Sequence, residues 1–84
     1  MTDLSRDIVG LVEVVARPLV EHAEDLEVTV AGERTSEILV EIRTHEDDAG
    51  KIIGRQGRVI KAIRTLARAA ASRDGVHVEV ELID

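Results

Sequence analysis

From Leu4 to Val20 the apolar residues recur at spacings of three and four. Leu4, Ile8, Leu11, Val12, Val15, Leu19 and Val20 form one stripe, which predicts an amphipathic helix over residues 4–23. Pro18 lacks the amide that would bond to residue 14, so a kink or a short second helix is expected to start near it. At Leu26 the period changes to two: Leu26, Val28 and Val30 alternate with Glu27 and Thr29, as in a half-buried strand. A polar turn is expected over Gly32–Ser36. Ile38, Val40 and Ile42 then alternate with Leu39, Glu41 and Arg43, which completes a hairpin.

Thr44 is the expected N-cap of a short helix reaching about Ile53, with Glu46, Asp47 and Asp48 in its first turn, where negative charge suits the helix dipole. After Gly54 and Gly57, a second stripe runs through Val59, Ile60, Ile63, Leu66, Ala67 and Ala70 to about Arg73, and Gly75 closes that helix. Val76, Val78, Val80 and Leu82 alternate with His77, Glu79 and Glu81 as a third strand. The order helix, strand, strand, helix, helix, strand predicts an α+β domain of two layers, a three-stranded sheet with helices on one face.

Length and composition narrow what this domain can do. Eighty-four residues give one domain, residues 1–84, with a modest core and a function carried on the surface. Without cysteine there is no thiolate site or disulfide. Neither a signal peptide nor a membrane span is visible, so a cytoplasmic protein is expected. Ser5, Ser36 and Ser72 stand in no nucleophile motif, and His22, His45 and His77 are far apart in sequence and read as solvated side chains. Three acids in a first helical turn read as dipole partners before they read as a cation site. No catalysis, no metal and no cofactor are expected.

The net charge of -6 speaks against nucleic acid, but its distribution does not. Lys51, Arg55, Arg58, Lys61, Arg64, Arg68 and Arg73 fall in one stretch that contains no Asp or Glu. The outer face of the sheet would show Glu27, Glu41, Glu79 and Glu81, relieved only by Arg43 and His77. A polyanion would be turned away from the sheet and drawn to the last helix. With no Phe, Tyr or Trp in the chain, base stacking on an aromatic sheet is excluded.

The chemistry concentrates in Gly50-Lys51-Ile52-Ile53-Gly54-Arg55-Gln56-Gly57-Arg58-Val59-Ile60. Two glycines three apart between helices can end one helix and let a backbone approach closely. Loop amides and the start of the next helix form an anion site. Lys51, Arg55 and Arg58 surround it, Gln56 adds a neutral donor and acceptor, and Ile52, Ile53 and Ile60 offer an apolar floor for bases.

Ile-Ile-Gly-x-x-Gly-x-x-Ile resembles the signature of K-homology (KH) domains, and the element order resembles their type II form. Nearly the whole chain is similar to the small single-domain bacterial RNA-binding proteins of the KhpA family. Arg17-Pro18-Leu19-Val20, the loop segment from Gly50 to Arg58, and Ala62-Ile63-Arg64-Thr65-Leu66 carry that similarity. The resemblance implies single-stranded RNA held at Lys51, Ile53, Gly54, Arg55, Gln56, Gly57 and Arg58. It also implies a role as RNA chaperone or post-transcriptional regulator, and association as a homodimer or as a heterodimer with a KhpB-type KH protein. Two other readings use the same residues. One is a protein-interaction module packing through Ala67–Ala71, with RNA incidental. The other is a duplex-DNA helix-turn-helix, which the mainly Arg and Lys surface of the last helix suits poorly.

Overall fold

Thr2 starts the first helix by accepting the N–H of Ser5 on its hydroxyl at 3.1 Å, with Asp3 in the first turn. This helix, α1 (Asp3–Ala16), buries Ile8, Val9, Val12 and Ala16. It stops short of the expected residue 23. The amide missing at Pro18 and the bulk of its ring end the α-helical ladder, and the chain continues through two single turns of 3-10 helix, Arg17–Leu19 and Ala23–Asp25. The computed structural model describes residues 1–83.

The strands are β1 (Glu27–Arg34), β2 (Glu37–Arg43) and β3 (His77–Ile83), in the spatial order β1-β2-β3. β1 and β2 are antiparallel, whereas β2 and β3 are parallel. The hairpin differs from expectation at its tip. Gly32 lies inside β1 opposite Leu39, and Arg34 pairs with Glu37, so that only Thr35 and Ser36 turn. The register shifts between Val30 and Gly32, making Ala31 the extra residue of a bulge, which lets the strand twist and run on.

A parallel partner for β2 requires a crossover, and α2 (Ala49–Ile53) and α3 (Arg58–Ser72) supply it. The helical segment begins one residue later than expected, as a 3-10 turn, and becomes α-helical only at Ala49. His45, not Thr44, caps the 3-10 turn Glu46–Asp48, its Nδ1 accepting the N–H of Asp47 at 3.0 Å. At the other end Gly75, at φ 68°, bonds its N–H to the Ser72 carbonyl while Val76 reaches the Ala71 carbonyl, a Schellman closure of α3.

Val28, Ile38, Val40, Ile42, Val78 and Val80 point inward from the sheet, and α1 and α3 cover them. The architecture is the expected two-layer α+β arrangement of a type II KH domain. The buried line of α3 is Ile60, Ile63, Ala67 and Ala71. Leu66, expected in the core, is 45% exposed, and Ala70 is exposed as well. Ile52 and Ile60, expected as a floor for bases, are core residues. Among the described residues, no helix is long and apolar enough to cross a membrane.

Candidate nucleic-acid interface

The two glycines of the loop do different work. Gly54 ends α2 at φ 76° and ψ 174°, a region open to glycine alone. A Cβ placed there would lie 2.3 Å from Cγ2 and 2.9 Å from the backbone nitrogen of Val59. Gly54 is therefore the point where the loop folds back onto the start of α3. Gly57, at φ 74° and ψ 15°, is left-handed and open: the nearest atom to an added Cβ is Lys61 Cε at 4.0 Å. Between them Gln56 is also left-handed, at φ 59°, where a side chain costs about 1 kcal/mol or more.

The loop is tightly wound. The N–H of Gly57 bonds to the Gly54 carbonyl at 3.1 Å, and that of Arg58 to the Arg55 carbonyl. Those two amides are spent inside the turn. What the loop presents is therefore the positive end of the α3 dipole, from a helix of 15 residues, together with three exposed side chains, Arg55, Gln56 and Arg58. Arg58 donates from Nη2 to Gln56 Oε1 at 3.1 Å, which sets one guanidinium beside the loop and leaves the amide nitrogen of Gln56 without a bonded partner among the described residues. Ile53, 41% exposed, is the apolar residue next to them.

Lys51 arrives already paired. Its Nζ lies 3.1 Å from Glu21 Oε1 and 3.1 Å from Asp48 Oδ1, and its pKa is raised by the bond to Glu21 and then by that to Asp48. Asp48 is the residue that sequence reasoning misplaced. It is no solvated dipole partner but fully buried, accepting the backbone N–H of Glu21 at 3.1 Å and of His22 at 2.9 Å, and facing His22 Nδ1 at 3.2 Å. Burial alone would push this carboxyl up. The two backbone donors, Lys51 and His22 outweigh it and hold the group well below the usual carboxylate range.

His22 and His45, read as separate surface side chains, are stacked, with ring centroids 3.9 Å apart and planes 13° from parallel. Together with Asp47 they bring ligand-type atoms within 4.8 Å of one another. Two nearly parallel stacked rings cannot both contain one ion in their planes, and each Nδ1 already faces a partner, Asp48 or the Asp47 amide. The stack ties the segment before β1 to the segment before α2.

The acid-free helix is not uniformly solvated either. Arg64 donates from Nε to the Val80 carbonyl at 3.0 Å, and Arg68 from Nε to the Val78 carbonyl at 3.3 Å. The outer sheet face is acidic as expected, with Glu41 and Glu81 side by side in register.

Comparison with known proteins finds relatives over most of the chain and a shared fold. The family profile described as KhpA/KhpB, KH domain matches residues 10–82. A protein of Clostridium perfringens named RNA-binding protein KhpA is 46% identical over 74 residues, covering 87% of this chain and 96% of its own. Its namesake from Borreliella burgdorferi is 38% identical over 76 residues, covering 90% and 92%. A crystal structure of a variant of Era from Aquifex aeolicus, bound to GDP and aluminium fluoride, superposes with a TM-score of 0.68 at 21% identity, over 99% of this chain and 33% of that one.

Proposed function

The chain belongs to the KhpA/KhpB KH-domain family, and from that premise we propose that it binds single-stranded RNA, with a backbone phosphate seated at the Gly54–Gly57 loop. The observation that carries this reading is the open Gly57 beside two exposed arginines at the positive end of α3. Arg55 and Arg58 hold the phosphate, Gln56 donates from its free amide, and Gly54 and Gly57 set the backbone. Ile53 gives a base an apolar surface. Lys51 contributes through the field it shares with Asp48 and Glu21 more than as a free cation.

This is the work of an RNA chaperone or post-transcriptional regulator, a single KH module acting in the cytoplasm without chemistry of its own. Exposed Leu66, with Ala69 and Ala70 beside it, suits close approach of a second copy or of a KhpB-type partner on a face separate from the loop.

The test is the double change Arg55→Asp with Gln56→Asp. Both side chains are exposed, and aspartate tolerates the left-handed backbone at position 56. The fold is expected to survive by circular dichroism. A phosphate brought within about 4 Å of a new carboxylate meets repulsion worth about ten-fold or more in affinity, so RNA binding is expected to fall by at least that factor. A folded double variant that binds RNA like the parent removes the loop from the site.

A further inference from the structure

α2 has only five residues between the 3-10 turn Glu46–Asp48 and Gly54. A helix that short does not stand by its own bonds, so the loop at its far end is placed by whatever fixes its entry. Ile52 does so from the core, and the buried Asp48 carboxylate does so through the amides of Glu21 and His22. The third anchor is the His45 ring, whose Nδ1 accepts the N–H of Asp47 at 3.0 Å. From there the path to the loop is short: the N–H of Asp48 bonds to the His45 carbonyl at 2.9 Å, and that of Gly54 to the Gly50 carbonyl at 2.9 Å.

The two stacked imidazoles hold their protons in opposite places. Asp48 is ionised and its Oδ2 faces His22 Nδ1 at 3.2 Å, so that nitrogen carries a proton. His45 Nδ1 is an acceptor, so its proton is on Nε2. Acid therefore acts on the two rings differently. His22 takes a second proton on Nε2 and keeps its bond to Asp48. His45 has only Nδ1 left to protonate, and a proton there ends the bond from the Asp47 amide and turns the ring toward Asp47 Oδ2, 3.6 Å away. The titratable groups against His45 are His22, stacked on it at 3.9 Å, and Asp47, with Glu46 exposed in the same turn. Asp48, with Lys51 and Glu21, bears on it through His22.

We propose that His45 is a positioning residue for RNA binding: its unprotonated Nδ1 holds the entry of α2, and through α2 the Gly54–Gly57 loop, so that proton uptake by this ring loosens the hold on RNA. The proposal rests on the loop reading above. Its sign is opposite to that of charge alone, because acid makes the chain less negative and by itself would tighten a polyanion. Asp48, held well below the usual carboxylate range, stays ionised throughout the range in which imidazoles change charge, so its own contacts are constant there.

The experiment uses the whole chain at about pH 7.5 and about pH 5, on either side of the ordinary imidazole range. A labelled random-sequence octanucleotide is followed by anisotropy. Protection of the Gly54 amide against hydrogen exchange, corrected for the intrinsic effect of pH, is read without RNA. Loss of an N-cap corresponds to about five-fold in an equilibrium, so the parent is expected to bind RNA about five-fold more weakly at the lower pH and to lose protection at Gly54 by a similar factor. His45→Ala, uncapped at either pH, is expected to be weak at both. His45→Asn caps without titrating and is expected to restore binding and protection and to keep them at both. Level or tighter RNA binding in the parent at the lower pH overturns the proposal, as does His45→Asn binding as weakly as His45→Ala, which would assign the effect to the lost stack on His22. Failure of the loop reading looks different: there the Arg55→Asp, Gln56→Asp variant keeps its binding, while Gly54 protection still falls with acid in the parent and holds in His45→Asn.

Discussion

Replacing Gly54 by alanine separates the two loop glycines more sharply than any change of charge. At φ 76° and ψ 174° an L-residue occupies a region essentially closed to side chains, at a cost of about 1–3 kcal/mol. The new methyl would also lie 2.3 Å from Val59 Cγ2, 2.8 Å from its Cβ and 2.9 Å from its nitrogen. A rotamer change could move the first atom only. The other two belong to the first turn of α3, so the loop and the helix start must part, which adds a further overpacking cost of about 1–3 kcal/mol. Together these come to about 2–6 kcal/mol, and for a domain of this size each kcal/mol moves the melting point by about 4–8 °C. Gly54→Ala is therefore expected to melt at least about 8 °C below the parent. Gly57→Ala meets nothing closer than 4.0 Å and carries only the left-handed penalty of about 1–2 kcal/mol. Circular dichroism at 222 nm, suited to a chain without aromatic residues, reads both melts. The reasoning is refuted if Gly54→Ala melts within about 3 °C of the parent, or if Gly57→Ala is the more damaging change.

Other expectations follow from single features. Gln56→Asn relieves left-handed strain at an exposed position and should raise the melting point by a few degrees, read in the same melt. Asp48 has a depressed pKa in the fold, so its contribution to stability is complete above its unfolded value near 3.9 and is lost as pH falls through the folded value. Asp48→Asn should therefore melt well below the parent at neutral pH, and the difference should shrink below about pH 4. A constant difference across that range would contradict the assignment. A homodimer through the Leu66 and Ala69 face should be seen by sedimentation at micromolar concentration and be broken by Ala69→Trp with the monomer still folded. Monomer alone up to about 100 μM, a dissociation constant weaker than most functional dimers reach, removes that interface.

The elements were readable because each carries its own period: Ile38, Val40 and Ile42 in β2, or Ile60, Ile63 and Ala67 in α3, announce themselves within a few residues. The loop was readable because its glycines, arginines and isoleucines are contiguous. What stayed hidden depends on apposition across the chain. Nothing near Asp48 says that the amides of Glu21 and His22 will converge on it, and first-turn acids are ordinarily solvated. His22 and His45 meet only because the same carboxylate draws their segments together. Leu66 looked like core because an apolar stripe has a width, and the tilt of α3 on the sheet decides which edge residue is left outside. Arg64 and Arg68 looked like free cations because the acceptors they find are backbone carbonyls, which have no side-chain signature.

The parallel pairing of β2 with β3 also sets an order of events in folding. β2 gains β1 through a two-residue turn, a local contact of low closure entropy, but it gains β3 only after residues 44–76 have been arranged, because that whole stretch is the connection between them. The hairpin can therefore form early and wait. The Gly54–Gly57 turn sits in the middle of the late step, where α2 and α3 must reverse on each other before β3 can dock. Changes that strain this turn should slow the final closure while leaving hairpin formation alone, so the segment proposed to grip RNA is expected to weigh on folding speed as well.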